Sequence, residues 1–312
     1  QLLRIERRMP RAQTPEETTT LRWQGSLLYE LTVADAEGER RIRYRHDALG
    51  QLLEEVQDID LVGHTPVRFA IQRERSPDAD RISLQDARGP HSTIVQTQDE
   101  QGRITGMRVS TGHWPDADRT LIQSVDWTRV AGLDYAREIT WGNHRSTHWP
   151  AQIEPEQAGL VNASLQSTGI SPSGHDASTL ARPGRAHDAA GLPGVIDTAA
   201  GRLQLEWDAA ARLKSVSQDA LREHFIYDAR GRRVAKRIGE DVRYFAWDGV
   251  QLAGEADAQG ALQTRYAYLG WRPVAQIVQR QNRWVRVKAR FTGPEVRFFE
   301  TSRTGRVLAM HD

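Results

Sequence analysis

The amino-acid sequence predicts an all-β protein of antiparallel strands joined by short turns, and three observations carry that prediction. Aspartate recurs at a fixed interval, with Asp188, Asp208, Asp228 and Asp248 each twenty residues apart. A flat or bulky ring precedes each one (His187, Trp207, Tyr227, Trp247), and three residues later come Gly191, Ala211, Gly231 and, in the last copy, Gln251. Between these points, apolar and polar residues alternate with the two-residue period of a half-buried strand. A fixed period near twenty marks a repeat architecture.

Each copy of twenty residues has room for two strands of about seven residues and two short turns, a typical strand being about five or six long. In "YDARG", Asp228 and Gly231 stand at the first and last positions of a type I turn. The Asp carboxylate can accept the turn's backbone N–H groups. The Gly supplies the positive φ that a following bulge requires. Stacked copies are expected to pack ring against ring, so Trp207, Tyr227 and Trp247 are predicted to lie on one another, joined by Tyr266 and Tyr268.

Taken in chain order, residues 1–20, with "RAQTPEETTT", read as a loop-rich start. Residues 21–168 read as degenerate repeats. "RIRYRHD" alternates Ile42 and Tyr44 with Arg41, Arg43 and Arg45, and further copies show in "YRHDALGQL", "LQDARG" and "QDEQGRI". Residues 169–194 are rich in Gly, Pro, Ser and Ala and read as a surface loop between two blocks of strands. Residues 195–312 carry the regular repeats. In "RLQLEWD", Leu203, Leu205 and Trp207 alternate with Gln204 and Glu206, and "WVRVKARF" continues the pattern at Val285, Val287, Ala289 and Phe291. "DALREHFIY" is the best helical candidate, and it runs into the repeat and reads as strand.

Composition narrows the function. A mean hydropathy of −0.62 with 27% charged residues suits a thin sheet with a large wet surface. Nine Trp and the regular turns argue against disorder. A formal charge of +1 supports neither a nucleic-acid groove nor a polybasic membrane patch. No apolar run reaches the roughly twenty residues of a spanning helix. The absence of cysteine excludes disulfides and Cys-based zinc. No signal peptide is visible and the chain begins at Gln1, so it is expected to be a fragment or a processed piece.

From Arg202 onward the residues resemble a known family. "YDARGRRVAK" followed by "YFAWDGVQLAGEADAQGALQTRYAYLGWRPVAQI" is similar to the C-terminal part of the RHS/YD-repeat core. The family's closing pattern falls on Trp247, Asp248, Gly249, Leu252 and Glu255, then Tyr266, Tyr268, Leu269 and Gly270, then Pro273, Val274 and Ala275. The match is specific over residues 200–280 and loose from Leu21 to Ala199. The resemblance implies strands winding as a spiral that forms part of a hollow shell. That shell encloses a variable C-terminal toxin and is exported from a bacterial cell by a contact-dependent machine, often type VI secretion. Implied partners are the enclosed toxin, other fragments of the same polypeptide, a secretion spike protein and a chaperone. The family's self-cleavage at paired aspartates is placed at an Asp-Pro-x-Gly segment, which is expected beyond residue 312. The same architecture serves the C component of insecticidal Tc toxins and the extracellular part of teneurins, so a cocoon of the first kind and a cell-surface adhesin are the alternatives.

No residue pattern makes the chain itself an enzyme, and no cofactor is expected. The repeated aspartates are better explained by turn capping than by acid–base chemistry. His144 and His148 have zinc-helix spacing but lie in strand-like sequence without the intervening Glu. His113, Asp116 and Asp118 lack a calcium loop, and Ser173, His175 and Asp176 are too close together for a triad. "NAS" at Asn162 is an acceptor sequon only in a glycosylating cell. Trp141, Trp149, Trp207, Trp247 and Trp271 could form a sugar-binding stripe, but rings at repeat positions more often form core.

Overall fold

In a computed structural model the described residues are 1–8, 15–110, 118–130, 133–148, 191–198, 201–278, 295–302 and 306–311. His113, Asp116, Trp149, Asn162, Ser173, His175, Asp176, His187, Asp188 and the "WVRVKARF" segment fall outside them, as does most of 169–194.

The described residues form strands β1 to β23 and no helix, in two antiparallel sheets. The first is an uninterrupted up-and-down meander of twelve strands in sequence order. It begins with β1 (Leu2–Arg7), β2 (Glu17–Gln24), β3 (Leu27–Asp35), β4 (Gly38–His46), β5 (Leu52–Leu61) and β6 (Val67–Arg75), and ends at β12 (Ser146–His148). The second is an eleven-stranded meander. It begins with β13 (Val195–Thr198), β14 (Gly201–Trp207), β15 (Leu213–Gln218), β16 (Leu221–Tyr227) and β17 (Arg233–Ile238). After these come β18 (Asp241–Asp248), β19 (Gln251–Ala256) and β20 (Leu262–Leu269), and the last is β23 (Val307–His311). "DALREHFIY" is strand, as its place in the repeat requires.

The all-β antiparallel expectation holds. The strands are laid out as two facing layers, neither of which closes on itself. One detail differs. The stretch 1–20 contains β1 and the start of β2, where a loop was expected. Thr18, Thr19 and Thr20 are β-branched and favour strand, and polar composition alone hid that preference.

The core lies between the sheets, because each presents one apolar face. Ile59, Phe69, Ile71 and Leu84 from the first sheet pack with Ile226, Val234, Tyr244 and Leu262 from the second. Further along, Val109, Leu121, Ile139 and Trp141 meet Ala267, Val274, Ile277 and Phe298. Strand alternation then puts Phe225 and Phe245 on the far face of the second sheet, where the Arg233 guanidinium covers both rings at 5.3 and 5.0 Å.

Candidate functional site

The repeat motif gathers into one structure, a seam along the hairpin ends of the second sheet that locks onto the first. Asp228 shows what the aspartate does. Its Oδ1 accepts the N–H groups of Arg230 and Arg232 at 2.9 and 3.0 Å, and its carbonyl accepts Gly231 N–H at 2.9 Å. Gly231 has φ 77°, and the register then slips by one residue between Ile226 and Tyr227. This is a type I turn with its bulge, as the motif predicts. Asp208 makes the same bonds, with Ala211 forced to φ 59°. Asp47, Asp99 and Asp257 repeat the turn with Gly50, Gly102 and Gly260. Gly191 has φ 79°.

Asp248 does not build this turn, although it keeps the phase. Gly249, with φ 58°, and Val250 close a two-residue connection, and Asp248 pairs directly with Gln251. Its carboxylate instead pairs with Arg73 of β6.

The rings do not stack on one another. Among the described residues the ring contacts are Tyr44 with His46, Trp141 with Phe298, and Tyr266 with Phe299. Trp207, Tyr227, Trp247 and Tyr268 are half-buried and act through their polar tips. Tyr227 Oη donates to Leu213 O at 2.7 Å, Trp247 Nε1 to Arg233 O at 2.9 Å, and Tyr268 Oη to Leu252 O at 3.1 Å. Trp207 Nε1 donates to Pro193 O at 2.9 Å. Leu213, Arg233 and Leu252 are the residues opposite the preceding ring in each hairpin. The ladder between successive hairpins stops short of these positions, at Ser215 with His224 and at Ala235 with Tyr244. Each ring therefore closes the opening between one hairpin and the next. Tyr266 differs: its Oη donates to Glu255 Oε1 at 2.8 Å. Burial pushes the Tyr268 phenol up to about 12, so it remains a donor at neutral pH.

Sequence reasoning missed the residues that join the sheets. Arg232 Nε donates to Asp228 Oδ2 at 2.7 Å, and Nη1 donates to Glu55 Oε1 of the first sheet at 2.8 Å. Arg212 does the same with Asp208 and Glu17. Burial works against both cations, but the carboxylates outweigh it and hold both guanidinium groups above their ordinary range. Side chains of the first sheet also hold the peptide groups of three ring residues. Arg40 Nε donates to Tyr227 O at 3.0 Å, Gln96 Nε2 to Tyr268 O at 3.2 Å, and Gln57 binds both the N–H and the carbonyl of Trp247. Arg265, 2% exposed, spans the layers through Ile82 O at 2.6 Å and Ser92 Oγ at 2.9 Å, and burial pushes it down to about 9.

Arg212 and Arg232 share the period of the aspartates and were findable from it. Leu252 stands at the next position, and there the pair has the opposite sense, with the acid Asp248 on the second sheet and the base Arg73 on the first. Glu55 and Gln57 are polar residues on the buried face of β5.

Of the other candidates, His144, His148 and Asp118 lie among the described residues. Among the described residues no three His, Asp or Glu side chains are grouped to hold a metal, and His144 instead meets Gln123 at 3.2 Å. Asp118 pairs with Arg108. Among the described residues, Trp141 is core whereas Trp271 is 60% exposed, so these two do not share an open stripe.

No family model matches the chain, and no curated protein matches it. Among solved structures, a TcdB2–TccC3–TEV crystal structure is similar at 11% identity and TM-score 0.29, covering 98% of this chain and 15% of that one. The Photorhabdus luminescens Tc holotoxin pore is similar at 13% identity and TM-score 0.22, over 94% of this chain and 18% of that one. A porin-like protein from Bacteroides uniformis is similar at 8% identity and TM-score 0.24, over 90% and 93%. The chain thus spans less than a fifth of the Tc structures. At such TM-scores these likenesses carry no argument about function.

Proposed function

We propose that this chain is a wall segment of an RHS-type shell that encloses a toxin and is exported with it by a contact-dependent machine such as type VI secretion. One observation supports the reading above the rest. Asp208, Asp228, Arg212, Arg232 and the rings are each engaged in turns, hairpin closure or sheet-to-sheet contacts, so the repeat's polar chemistry is committed to holding a wall. In this reading the segment performs no chemistry of its own. Its partners are the enclosed domain, the remaining shell, a secretion spike protein and a chaperone. The test is limited proteolysis of these residues joined to the sequence that follows them in the same reading frame. The following domain should stay uncut and inactive until the wall is opened by Arg232→Ala with Arg212→Ala. A following domain that is cut and active with the wall intact would overturn the proposal.

A further inference from the structure

Arg40, Arg73, Arg212 and Arg232 each reach from one sheet to the other, and each has a carboxylate beside it. Asp35 pairs with the first, Asp248 with the second, Asp208 and Glu17 with the third, and Asp228 and Glu55 with the fourth. Arg265 of β20 is built differently. It is 2% exposed, and its guanidinium donates to Ser92 O, to Ser92 Oγ at 2.9 Å and to Ile82 O at 2.6 Å. These acceptors stand on β7 (Ala79–Asp86) and β8 (Gly89–Gln98) of the first sheet, and all are neutral. Among the described residues no carboxylate pairs with Arg265, and burial alone lowers its pKa, which still leaves it a cation at neutral pH.

A buried charge with no counter-charge is costly. A guanidinium has five N–H donors, and three are engaged here, so two remain. A cavity of about 40 Å³ adjoins this side chain, with Gln96, Gln251, Ile82 and Ile94 in its lining. Each of the two amides gives one N–H to a carbonyl, Gln96 to Tyr268 O and Gln251 to Gly270 O, and holds a second in reserve. Asp248 also borders the space, but its charge is answered by Arg73. The volume exceeds that of one water and is far below that of a sugar or nucleotide site.

We propose that this cavity binds one small monovalent anion, a halide such as chloride, against the Arg265 guanidinium. The ion supplies the charge that a carboxylate supplies at the other arginines, and the spare N–H groups are its ligands. It ties β20 to β7 and β8, so this part of the interface between the sheets takes its cohesion from a dissociable ion.

Bromide, which scatters anomalously, is the direct probe. Crystals of the 312-residue chain soaked in sodium bromide should show an anomalous peak within hydrogen-bond reach of Arg265. In solution, sodium chloride added at constant ionic strength against sodium gluconate, whose anion is too large for the cavity, should raise Tm by a few degrees and then saturate. Arg265→Met should abolish the saturable rise. Ala253→Leu should abolish it too, because it keeps the guanidinium and fills the space that Ala253 borders. Bromide found only at other places, or a chloride response that persists in Arg265→Met, would overturn the proposal and leave the guanidinium to its carbonyls and to water. If Arg265→Met does not fold, the bromide peak in the wild-type protein decides.

Discussion

At the scale of single residues, the repeat turn separates steric space from backbone strain. A Cβ at Gly231 would meet no atom closer than Arg212 Cδ at 4.0 Å, so φ alone opposes a side chain there. Gly231→Val should therefore destabilise by about 1 kcal/mol more than Gly231→Asn, since a β-branched residue tolerates positive φ poorly. Ala211 occupies the equivalent place at φ 59° and already bears that strain. Ala211→Gly should thus stabilise by several tenths to about 1 kcal/mol, net of the added freedom of the unfolded chain. Urea midpoints of the three variants check both statements. Equal effects of Val and Asn at 231 would contradict the left-handed turn. These turns were legible in the sequence because every bond they make lies within five residues. Asp248 was not, because phase was read there without the Gly beside it: Gly249 follows at once, which shortens the connection.

At the scale of elements, the rings behave as clasps between hairpins. They were visible as a periodic feature, but periodicity cannot distinguish a ring that stacks on its neighbour from one that reaches a backbone carbonyl. The clasp model makes the hydroxyl and indole N–H the working atoms. Tyr227→Phe should cost about 1 kcal/mol by removing the bond to Leu213 O while keeping the ring. Trp247→Phe should cost more, because it also loses buried ring area where Trp247 packs on the core. The two bonds go to different strands, β15 and β17, so the losses should add within about 0.5 kcal/mol. Denaturant titrations of both single variants and the double variant supply the measurement. Strong non-additivity would favour stacked rings over separate clasps.

At the scale of the whole molecule, the two sheets are held by an apolar core and by a charged seam, whose partners lie up to about two hundred residues apart in sequence. That separation is why the first sheet's side of the seam was illegible: Glu17, Glu55 and Arg40 carry no local sign of which hairpin they will meet. It also predicts acid sensitivity. The hydrogen bond from His224 outweighs partial burial and holds the Glu37 carboxyl below its usual range. Stability from a carboxyl lowered on folding is complete above its unfolded pKa and is lost as pH falls through the folded value. Wild type should therefore weaken below about pH 4, and its advantage over Glu37→Gln should shrink over the same window. The strongest prediction concerns Glu55 and Arg232, whose side chains are 0% and 6% exposed. Glu55→Leu leaves Arg232 with Asp228 as its partner, whereas Arg232→Leu leaves two buried carboxylates, Glu55 and Asp228, without their shared cation. Breaking a buried pair from one side typically costs about 3–5 kcal/mol. Arg232→Leu should fall in that range, and Glu55→Leu should cost clearly less. The double variant should be no worse than Arg232→Leu, because removing Glu55 then relieves an unpaired charge. Hydrogen exchange should show the loss of protection at β5, β16 and β17 while the core around Ile139 and Ile277 stays protected. If the two single costs were equal and additive, Arg232 would not be the shared centre of this part of the seam.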